Sequence, residues 1–338
     1  MKNLLLFLVI LVCHSVSAQN SDSSHIYLQK GLDEKLAKRW LVAHNYFVNA
    51  IKFDPKAIQP LIEDAGVALE MRKTDLAKDD FTKILEIDPV NKNAIKELTD
   101  LYFSYRQYDK AVEFAKKCSD CDNAQRVLGL SFYEQEDYPQ AIKYLTAAVA
   151  KNASDAVATY TLARTYLDME QYKKAVPYYE KAVSLDATRN VWMYELGLIY
   201  YNVADYKNAV TFFTKAADNG YVQSNDFKEN LGYASLYTGE YEKGETLLMN
   251  VWNRKPGNKD ILRDVAEILY QQKQYDKSLI YCQKLMELDA KDGKALYQAG
   301  MCFMKNGQKD RGQQMCDKAI SIDPSLDGLR KKKEMVGM

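Results

Sequence analysis

Apolar and small residues recur along this chain at a fixed interval. Six tyrosines stand 30, 34, 34, 35 and 34 residues apart, at Tyr108, Tyr138, Tyr172, Tyr206, Tyr241 and Tyr275. Each is followed three positions later by a small residue, namely Ala111, Ala141, Ala175, Ala209, Gly244 or Ser278. A recurrence near 34 residues is typical of stacked helical hairpins. Because one hairpin of that length cannot bury its apolar face alone, neighbouring hairpins must supply the core for each other.

Each recurring position has a physical reason. The small residues let the two helices of a hairpin approach closely. The tyrosine fills the gap at the hairpin turn, where we expect its ring to be buried and its hydroxyl to find a partner. Helices of about 13 residues are about 20 Å long, which is enough to present two or three turns to a neighbour.

Several positions recur together and carry a resemblance. The fullest set is Leu196, Gly197, Tyr200, Tyr206, Ala209, Phe213 and Ala216. It resembles the tetratricopeptide repeat, a helix-turn-helix of 34 residues. Extending that register gives nine repeats over residues 24–326, with starts at Ser24, Ile58, Lys92, Asp122, Ala156, Asn190, Asn225, Lys259 and Gly293. The resemblance implies an all-α fold, a right-handed α-solenoid of tandem helix-turn-helix hairpins, followed by a basic tail over residues 327–338.

The chain carries balanced charge. It has 46 basic and 46 acidic side chains among 338 residues, and without residues 1–18, which contain only Lys2, the balance is 45 against 46. This gives no electrostatic reason to bind nucleic acid or an anionic membrane. The one basic cluster, Arg330 to Lys333, is interpreted as a solvated cap on the last helix in preference to a phosphate or lipid contact.

Residues 1–18 have the pattern of a secretory signal peptide. Lys2 precedes an unbroken apolar run from Leu4 to Val12, and Val16-Ser17-Ala18 is a small-residue cleavage site. The apolar run is too short to span a bilayer. Val12 before Cys13 argues against lipoprotein processing, which generally requires a small residue there. We therefore expect a mature chain that begins at Gln19, lies in the periplasm or is secreted, and has no stable membrane insertion.

Five cysteines remain after such cleavage: Cys118, Cys121, Cys282, Cys302 and Cys316. An odd number in an exported protein leaves at least one thiol without an intramolecular partner. The Cys118-x-x-Cys121 spacing resembles a redox motif, but Cys118 falls near a helix C-terminus, where the helix dipole disfavours a thiolate. A local disulfide or two free thiols are therefore favoured over an active redox pair. One bridge among the last three cysteines is compatible with the sequence, which does not choose the pairing.

Catalytic motifs are not found. The only histidines after residue 18 are His25 and His44, both in the first repeat and away from any repeated pair of carboxylates. Phosphate-binding glycine loops, zinc-protease motifs, nucleophile elbows and calcium loops do not occur. The sequence predicts a protein without enzymatic activity, cofactor or metal.

The predicted binding surface is the concave one. The resemblance implies that positions 5, 9 and 12 of each first helix line a groove. The candidates there are Arg126, Tyr133, Tyr160, Arg164, Tyr194, Tyr201, Tyr233, Tyr270 and Tyr297. Tyrosine and arginine are enriched at binding hot spots. Tyrosines at these positions also stabilise the stack of repeats, so packing is the competing interpretation.

Two hypotheses of function follow. The first is a protein–protein interaction scaffold of the cell envelope that binds a peptide or protein segment in the groove. The alternative is a glycan-binding or polysaccharide-export accessory module, since tyrosine faces also stack on sugar rings. Glycan sites usually surround each ring with Asp, Asn and His acceptors, and the middle of the predicted groove is poor in these.

Overall fold

A computed structural model of the protein describes residues 22–328, and over this range the chain is helical and contains no strand. The predicted signal peptide, the expected mature N-terminus at Gln19 and the basic cluster Arg330 to Lys333 lie outside the described residues. The helices are α1 (22–36), α2 (Trp40–Phe53), α3 (Ile58–Glu70), α4 (Thr74–Ile87), α5 (Lys92–Ser104), α6 (Tyr108–Lys117), α7 (Ala124–Glu134), α8 (Tyr138–Lys151), α9 (Ala156–Asp168), α10 (Tyr172–Leu185), α11 (Asn190–Asn202), α12 (Tyr206–Asp218), α13 (Asn225–Tyr237), α14 (Tyr241–Trp252), α15 (Asp260–Gln271), α16 (Tyr275–Leu288), α17 (Gly293–Lys305) and α18 (Lys309–Ile322). A 3-10 turn, Pro324–Leu326, follows α18.

The chain divides after Thr165 into two compact halves. In the N-terminal half, α3 packs on α4, α5 on α6 and α7 on α8. In the C-terminal half, α11 packs on α12, α13 on α14, α15 on α16 and α17 on α18. Each half is therefore built from helical hairpins of the predicted kind.

The amphipathic spacing of apolar residues explains how one hairpin packs against its neighbours. Helix α15 buries Ile261, Leu262, Val265, Ala266 and Leu269. Each of these residues is three or four positions from another member of the set, so all five share one face of the helix. This face joins a core cluster that also contains buried residues of α14, α16 and α17. The first helix of one hairpin is thus covered by the hairpins on both sides of it.

Small residues at the helix crossings are required by space. A Cβ added to Gly197 would lie 2.6 Å from Phe213 Cδ1, and one added to Gly129 would lie 2.6 Å from Leu145 Cγ. These distances are shorter than any tolerable carbon–carbon contact, so each glycine lets the large residue of the second helix pack against the backbone of the first. The small residues that follow the recurring tyrosines are likewise buried. The predicted role of both sets is confirmed.

The recurring tyrosines are only half-buried, so the expectation of fully buried rings is wrong. Each begins the second helix of its hairpin, and its ring rests on the hairpin surface. Tyr206, for example, stacks on Tyr237 with ring centroids 4.1 Å apart. The hydroxyl of Tyr108 donates to Glu134 Oε2 at 3.1 Å. Part of each ring stays in contact with water, because the next hairpin covers the ring only in part.

The turn between the helices of each hairpin has a left-handed residue that the sequence pattern did not reveal. It recurs at Lys38, Arg72, Arg106, Glu136, Glu170, Ala204, Gly239, Lys273 and Gly307, with φ between 56° and 61° for the side-chain-bearing residues. Each follows the first helix by one or two residues, and its neighbours bond back to the last helical carbonyls, as Gln107 N does to Tyr102 O at 2.9 Å. Only Gly239 and Gly307 have the residue type that this backbone favours.

Substitutions at this turn should change stability through the backbone alone. Ala204→Gly should raise the free energy of unfolding by about 0.5–1 kcal/mol, because the left-handed conformation costs a residue with a Cβ about 1–2 kcal/mol and glycine loses part of that gain as entropy. Gly239→Ala should lower it by about 1 kcal/mol, although a Cβ there meets nothing within 4 Å. Urea unfolding measures both. Gly257→Ala is the control. A Cβ at Gly257 also meets nothing within 4 Å, but this glycine does not have a left-handed backbone, so the variant should not be destabilised.

The third repeat is shorter than the others, and a disulfide replaces its missing turn. Helix α6 has 10 residues and ends at Lys117. Cys118 directly follows this helix and forms a disulfide with Cys121, which is the local disulfide that the sequence analysis favoured together with two free thiols. Cys118 is 3% exposed and occupies a packing position. Cys282, Cys302 and Cys316 are buried thiols, and burial raises the pKa of Cys282 to about 12, which suits packing and not reactivity.

The N-terminal half buries a pair of carboxyl groups. Asp64 on α3 is 2% exposed and Asp80 on α4 is 5% exposed, and each carboxyl group affects the pKa of the other. His44 Nδ1 lies 2.6 Å from Asp64 Oδ1, and Lys83 Nζ lies 3.1 Å from Asp80 Oδ1. Burial raises the pKa of Asp64 to about 6, with Asp80 adding to the rise and His44 opposing it. Asp64 therefore keeps its proton in the folded protein at a pH where the unfolded chain has lost it.

This cluster predicts a pH dependence of stability. The folded pKa of Asp64 lies above the unfolded value of 3.8, so its contribution to the free energy of unfolding falls as pH rises from about 4 through about 6. Asp64→Asn keeps the size of the side chain but has no proton to lose. Relative to the parent protein, this variant should gain about 2 kcal/mol between pH 4.5 and pH 7.5 in urea unfolding. Asp79→Asn, on the exposed side of α4, should show no such difference, and parallel curves for Asp64→Asn and the parent would refute the assignment.

Candidate functional site

All nine candidate residues lie on the first helices of hairpins. Helix α7 carries Arg126 and Tyr133, α9 carries Tyr160 and Arg164, α11 carries Tyr194 and Tyr201, and α13, α15 and α17 carry Tyr233, Tyr270 and Tyr297. The first four belong to the N-terminal half and the other five to the C-terminal half. Their role in binding stays a prediction. The contacts that each side chain makes differ from one candidate to the next.

In the N-terminal half, the arginines are held by their neighbours. Arg126 Nε lies 2.9 Å from Asp155 Oδ2, and Asp155 Oδ1 accepts from Ala158 N at 2.9 Å, at the start of α9. Arg126 thus links its own helix to the carboxylate that caps the next first helix. Arg164 Nη1 lies 3.3 Å from Tyr160 Oη, one turn earlier on α9. These contacts give both arginines a structural role beside the predicted one.

The contact of Arg126 predicts a loss of stability on substitution. Arg126→Ala should lower the free energy of unfolding by about 1 kcal/mol, since Asp155 is largely buried and would lose its ionic partner. Thermal and urea unfolding measure this. Lys151→Ala removes an ion pair with Asp122 that is exposed, and should change the free energy by less than about 0.5 kcal/mol. Equal effects of the two variants would show that the Asp155 contact contributes nothing.

Tyr194 packs in an aromatic cluster. Its ring stacks on Tyr221 with centroids 4.4 Å apart, and Phe213 and Phe227 lie 5.5 and 5.6 Å away. Asn230 Nδ2 donates to its hydroxyl at 2.9 Å. Burial raises the pKa of Tyr194 above its usual value. This tyrosine joins α11, α12 and α13, as the packing interpretation expects.

Tyr270 and Tyr297 are also held within the C-terminal half. The ring of Tyr270 lies 5.3 Å from that of Tyr275. Tyr297 is 9% exposed and packs with Cys316, Ala319 and Leu326. Little of its ring therefore remains for contact with a partner.

Tyr201 and Tyr233 line a pocket, and three helices build it. Its lining, which we call the tyrosine pocket, comes from α11, α13 and α15 and consists of Tyr201, Tyr233, Tyr237, Asp264, Glu267, Ile268 and Gln271. The volume is about 200 Å³. The sequence predicted two of the three rings as groove residues. Tyr237 and Asp264 were missed because each stands one position beyond the groove positions of its helix.

The tyrosine pocket is acidic, and both of its carboxylates are exposed to solvent. Tyr233 Oη donates to Asp264 Oδ2 at 3.2 Å, and Glu267 Oε1 accepts from Gln271 Nε2 at 3.2 Å. Within residues 22–328 neither carboxylate has an ion pair. Burial raises the pKa of Tyr201 to about 12 and raises the pKa of Asp264 above its ordinary value. Two carboxylates beside three rings, neither of them in an ion pair within residues 22–328, can accept a positively charged group.

Metal-binding clusters and membrane-spanning helices are both lacking between residues 22 and 328. This part has no group of three or more His, Cys, Asp or Glu residues placed to hold a metal ion. It also has no helix both long and apolar enough to cross a bilayer.

Comparison with known families agrees with the fold. One tetratricopeptide repeat model matches residues 126–190 and 160–222, and a second matches residues 293–326. Residues 126–222 and 293–326 are therefore tetratricopeptide repeats. Proteins of this family are in general non-catalytic scaffolds for protein–protein interaction.

Solved structures with the same kind of fold are similar to this chain at low identity. YrrB, described as a TPR protein with an unusual peptide-binding site, is 24% identical with a TM-score of 0.41, over 56% of this chain and 97% of that one. The TPR domain of P58(IPK) is 16% identical with a TM-score of 0.33, over 93% and 98% of the two chains. The C-terminal part of a TPR protein from Cytophaga hutchinsonii is 21% identical with a TM-score of 0.44, over 68% and 98%. No curated protein sequence is significantly similar to this chain.

Proposed function

We propose that this protein is a non-enzymatic scaffold that binds a segment of another protein across its first helices. The tyrosine pocket receives a basic side chain of that segment. The observation that carries the proposal is the pair of carboxylates, Asp264 and Glu267, which lie beside Tyr201, Tyr233 and Tyr237 without an ion pair in the described chain.

A lysine or arginine side chain matches this pocket in two ways. Its cationic end would pair with two carboxylates that are exposed beside the rings and that have no ion pair within residues 22–328. Its charge would also interact with the ring faces, which contributes about 0.5–2 kcal/mol per contact. A volume of about 200 Å³ accommodates one long side chain and not a folded element.

The residues that line the tyrosine pocket are also compatible in part with a glycan ligand. Tyrosine rings with carboxylate and amide groups can also hold a sugar, because the rings stack and the polar groups accept from hydroxyls. A neutral sugar, however, would leave the charges of Asp264 and Glu267 uncompensated. A basic peptide segment is therefore the better match, and a glycan is the alternative outcome of the test.

We further propose that the protein acts outside the cytoplasm, in the cell envelope or the medium. Residues 1–18 have the signal-peptide pattern and lie outside the described residues. The disulfide between Cys118 and Cys121 supports this location, because disulfides persist mainly in oxidising compartments. Export is tested by fractionating cells and sequencing the N-terminus of the recovered protein. A chain that keeps Met1 and stays in the cytoplasm would contradict it.

Binding is tested with synthetic peptides whose charge is the only variable. Ten-residue peptides, blocked at both ends and carrying Lys, Arg, Glu or Leu at the same central positions, are titrated by fluorescence anisotropy. The Lys and Arg peptides should bind at least about 10-fold more tightly than the Glu and Leu peptides, as one cation contact of about 1.4 kcal/mol implies. Asp264→Asn and Tyr233→Ala should each remove most of this difference.

A matched control separates the pocket from general charge. Asp218→Asn removes the same charge from an exposed position of α12 and should leave the preference for basic peptides unchanged. A glycan array is probed in parallel with the same variants. Binding to a glycan that needs Tyr233, together with no preference among the peptides, would replace the proposal by the glycan-binding function.

A further inference from the structure

Two rings of the tyrosine pocket are held at a steep angle to each other by a third tyrosine. Tyr206, at the start of α12, does not line the pocket but contacts both rings. It meets Tyr201 edge to face, with ring centroids 5.4 Å apart and an angle of 72° between the planes. It stacks on Tyr237 with centroids 4.1 Å apart and an angle of 10°. Because Tyr206 is nearly parallel to one ring and steeply inclined to the other, Tyr201 and Tyr237 stand as two adjoining walls.

The third ring of the pocket is fixed by a hydrogen bond. Tyr233 Oη donates to Asp264 Oδ2 at 3.2 Å, which ties this ring of α13 to α15. Tyr201, Tyr233 and Tyr237 are all half-buried, so each keeps part of its surface for a ligand. The pocket therefore offers three aromatic surfaces whose positions are set before anything binds.

The stacking of repeats does not require these three tyrosines. One repeat further along the chain, the equivalent positions hold Leu236, Glu267 and Gln271. Helices α13, α15 and α17 still pack in succession there, and Leu236 is fully buried. Three rings meet at the tyrosine pocket although the same packing is achieved with none, which points to a ligand that contacts aromatic surfaces.

The kind of cation follows from its hydration. A primary ammonium has three N–H donors and binds water strongly. The carboxylates of Asp264 and Glu267 are exposed, and each already accepts a hydrogen bond, from Tyr233 and Gln271 respectively. Exposed ion pairs contribute little, so these carboxylates repay only part of the water that a primary ammonium would lose beside the rings.

A quaternary ammonium matches the same pocket better. It has no N–H donor to satisfy, it is weakly hydrated, and its positive charge is attracted to each ring surface that its methyl groups touch. The volume of about 200 Å³ leaves room for these methyl groups. The exposed carboxylates can balance the charge without direct contact.

We propose that the basic group bound by the tyrosine pocket is a quaternary ammonium, carried by a trimethylated lysine of the partner segment. Its methyl groups contact Tyr201, Tyr233 and Tyr237, and Asp264 and Glu267 balance its charge. The inference rests on the proposed function, because the pocket and the partner are the same. A free quaternary ammonium ion has the same chemistry, so the test separates a side chain from a free ion.

The experiment uses the full chain and three blocked peptides that differ at one side chain. The central residue is lysine, trimethyllysine, or the uncharged isostere in which a tert-butyl group replaces trimethylammonium. In anisotropy titrations, the trimethyllysine peptide should bind about 5-fold or more tightly than the lysine peptide and about 10-fold or more tightly than the isostere. The first comparison tests methylation. The second tests charge, because trimethylammonium and tert-butyl have the same shape.

Tetramethylammonium chloride separates the two sources of the cation. It carries the charged group without a peptide, so it should displace the trimethyllysine peptide only at concentrations about 100-fold or more above the dissociation constant of that peptide. Sodium chloride at the same concentrations controls for ionic strength. Displacement at concentrations close to that constant would show that a free ion is the ligand and would overturn the assignment to a partner segment.

Variants assign the preference to the rings. Tyr201→Leu and Tyr237→Leu remove an aromatic surface but keep an apolar side chain, and each should reduce the preference for trimethyllysine over the isostere by about 3-fold or more. Tyr201→Phe and Tyr237→Phe keep the ring and should retain the preference. Tyr275→Leu, at a half-buried tyrosine outside the pocket, is the matched control and should have no effect. Circular dichroism and urea unfolding establish that each variant is folded.

The outcomes distinguish this inference from the proposed function. If lysine and arginine peptides show the Tyr233-dependent preference but trimethylation brings no gain, the inference is overturned and the proposed function stands. Equal binding of trimethyllysine and its isostere also overturns the inference, since the pocket would then recognise shape and not charge. A preference that is unchanged in both leucine variants overturns it as well. If no basic peptide, methylated or not, binds the parent protein, both proposals fall.

Discussion

The close contact of two helices within each hairpin is the constraint on which this structure depends. Where Gly197 meets Phe213, or Gly129 meets Leu145, a single added carbon would overlap the opposing side chain. The second helix can therefore lie against the backbone of the first, which leaves the other face of the first helix for its neighbours and for solvent. Of the candidate binding residues, Tyr201 and Tyr233 stand on that face and border a pocket, whereas Tyr297 is buried against α18.

The sequence predicts this architecture well because its signals are local and repeated. The spacing of the tyrosines and the small residues behind them follow from geometry that every hairpin shares. The left-handed turn residues were not predictable in the same way, since Lys38, Arg106 and Glu136 have no local sequence signal for positive φ. Closure of the hairpin imposes that conformation, and the cost of about 1–2 kcal/mol at each turn is offset by packing of the two helices.

The candidate site was only partly predictable, because exposure depends on neighbours that are distant in sequence. Tyr194 and Tyr233 have the same residue type on equivalent helix faces. Yet the ring of Tyr194 packs against Tyr221 and Phe227, whereas Tyr233 lines a pocket together with Asp264. Residue type indicates which side chains can bind, and the contacts between hairpins decide which of them remain available.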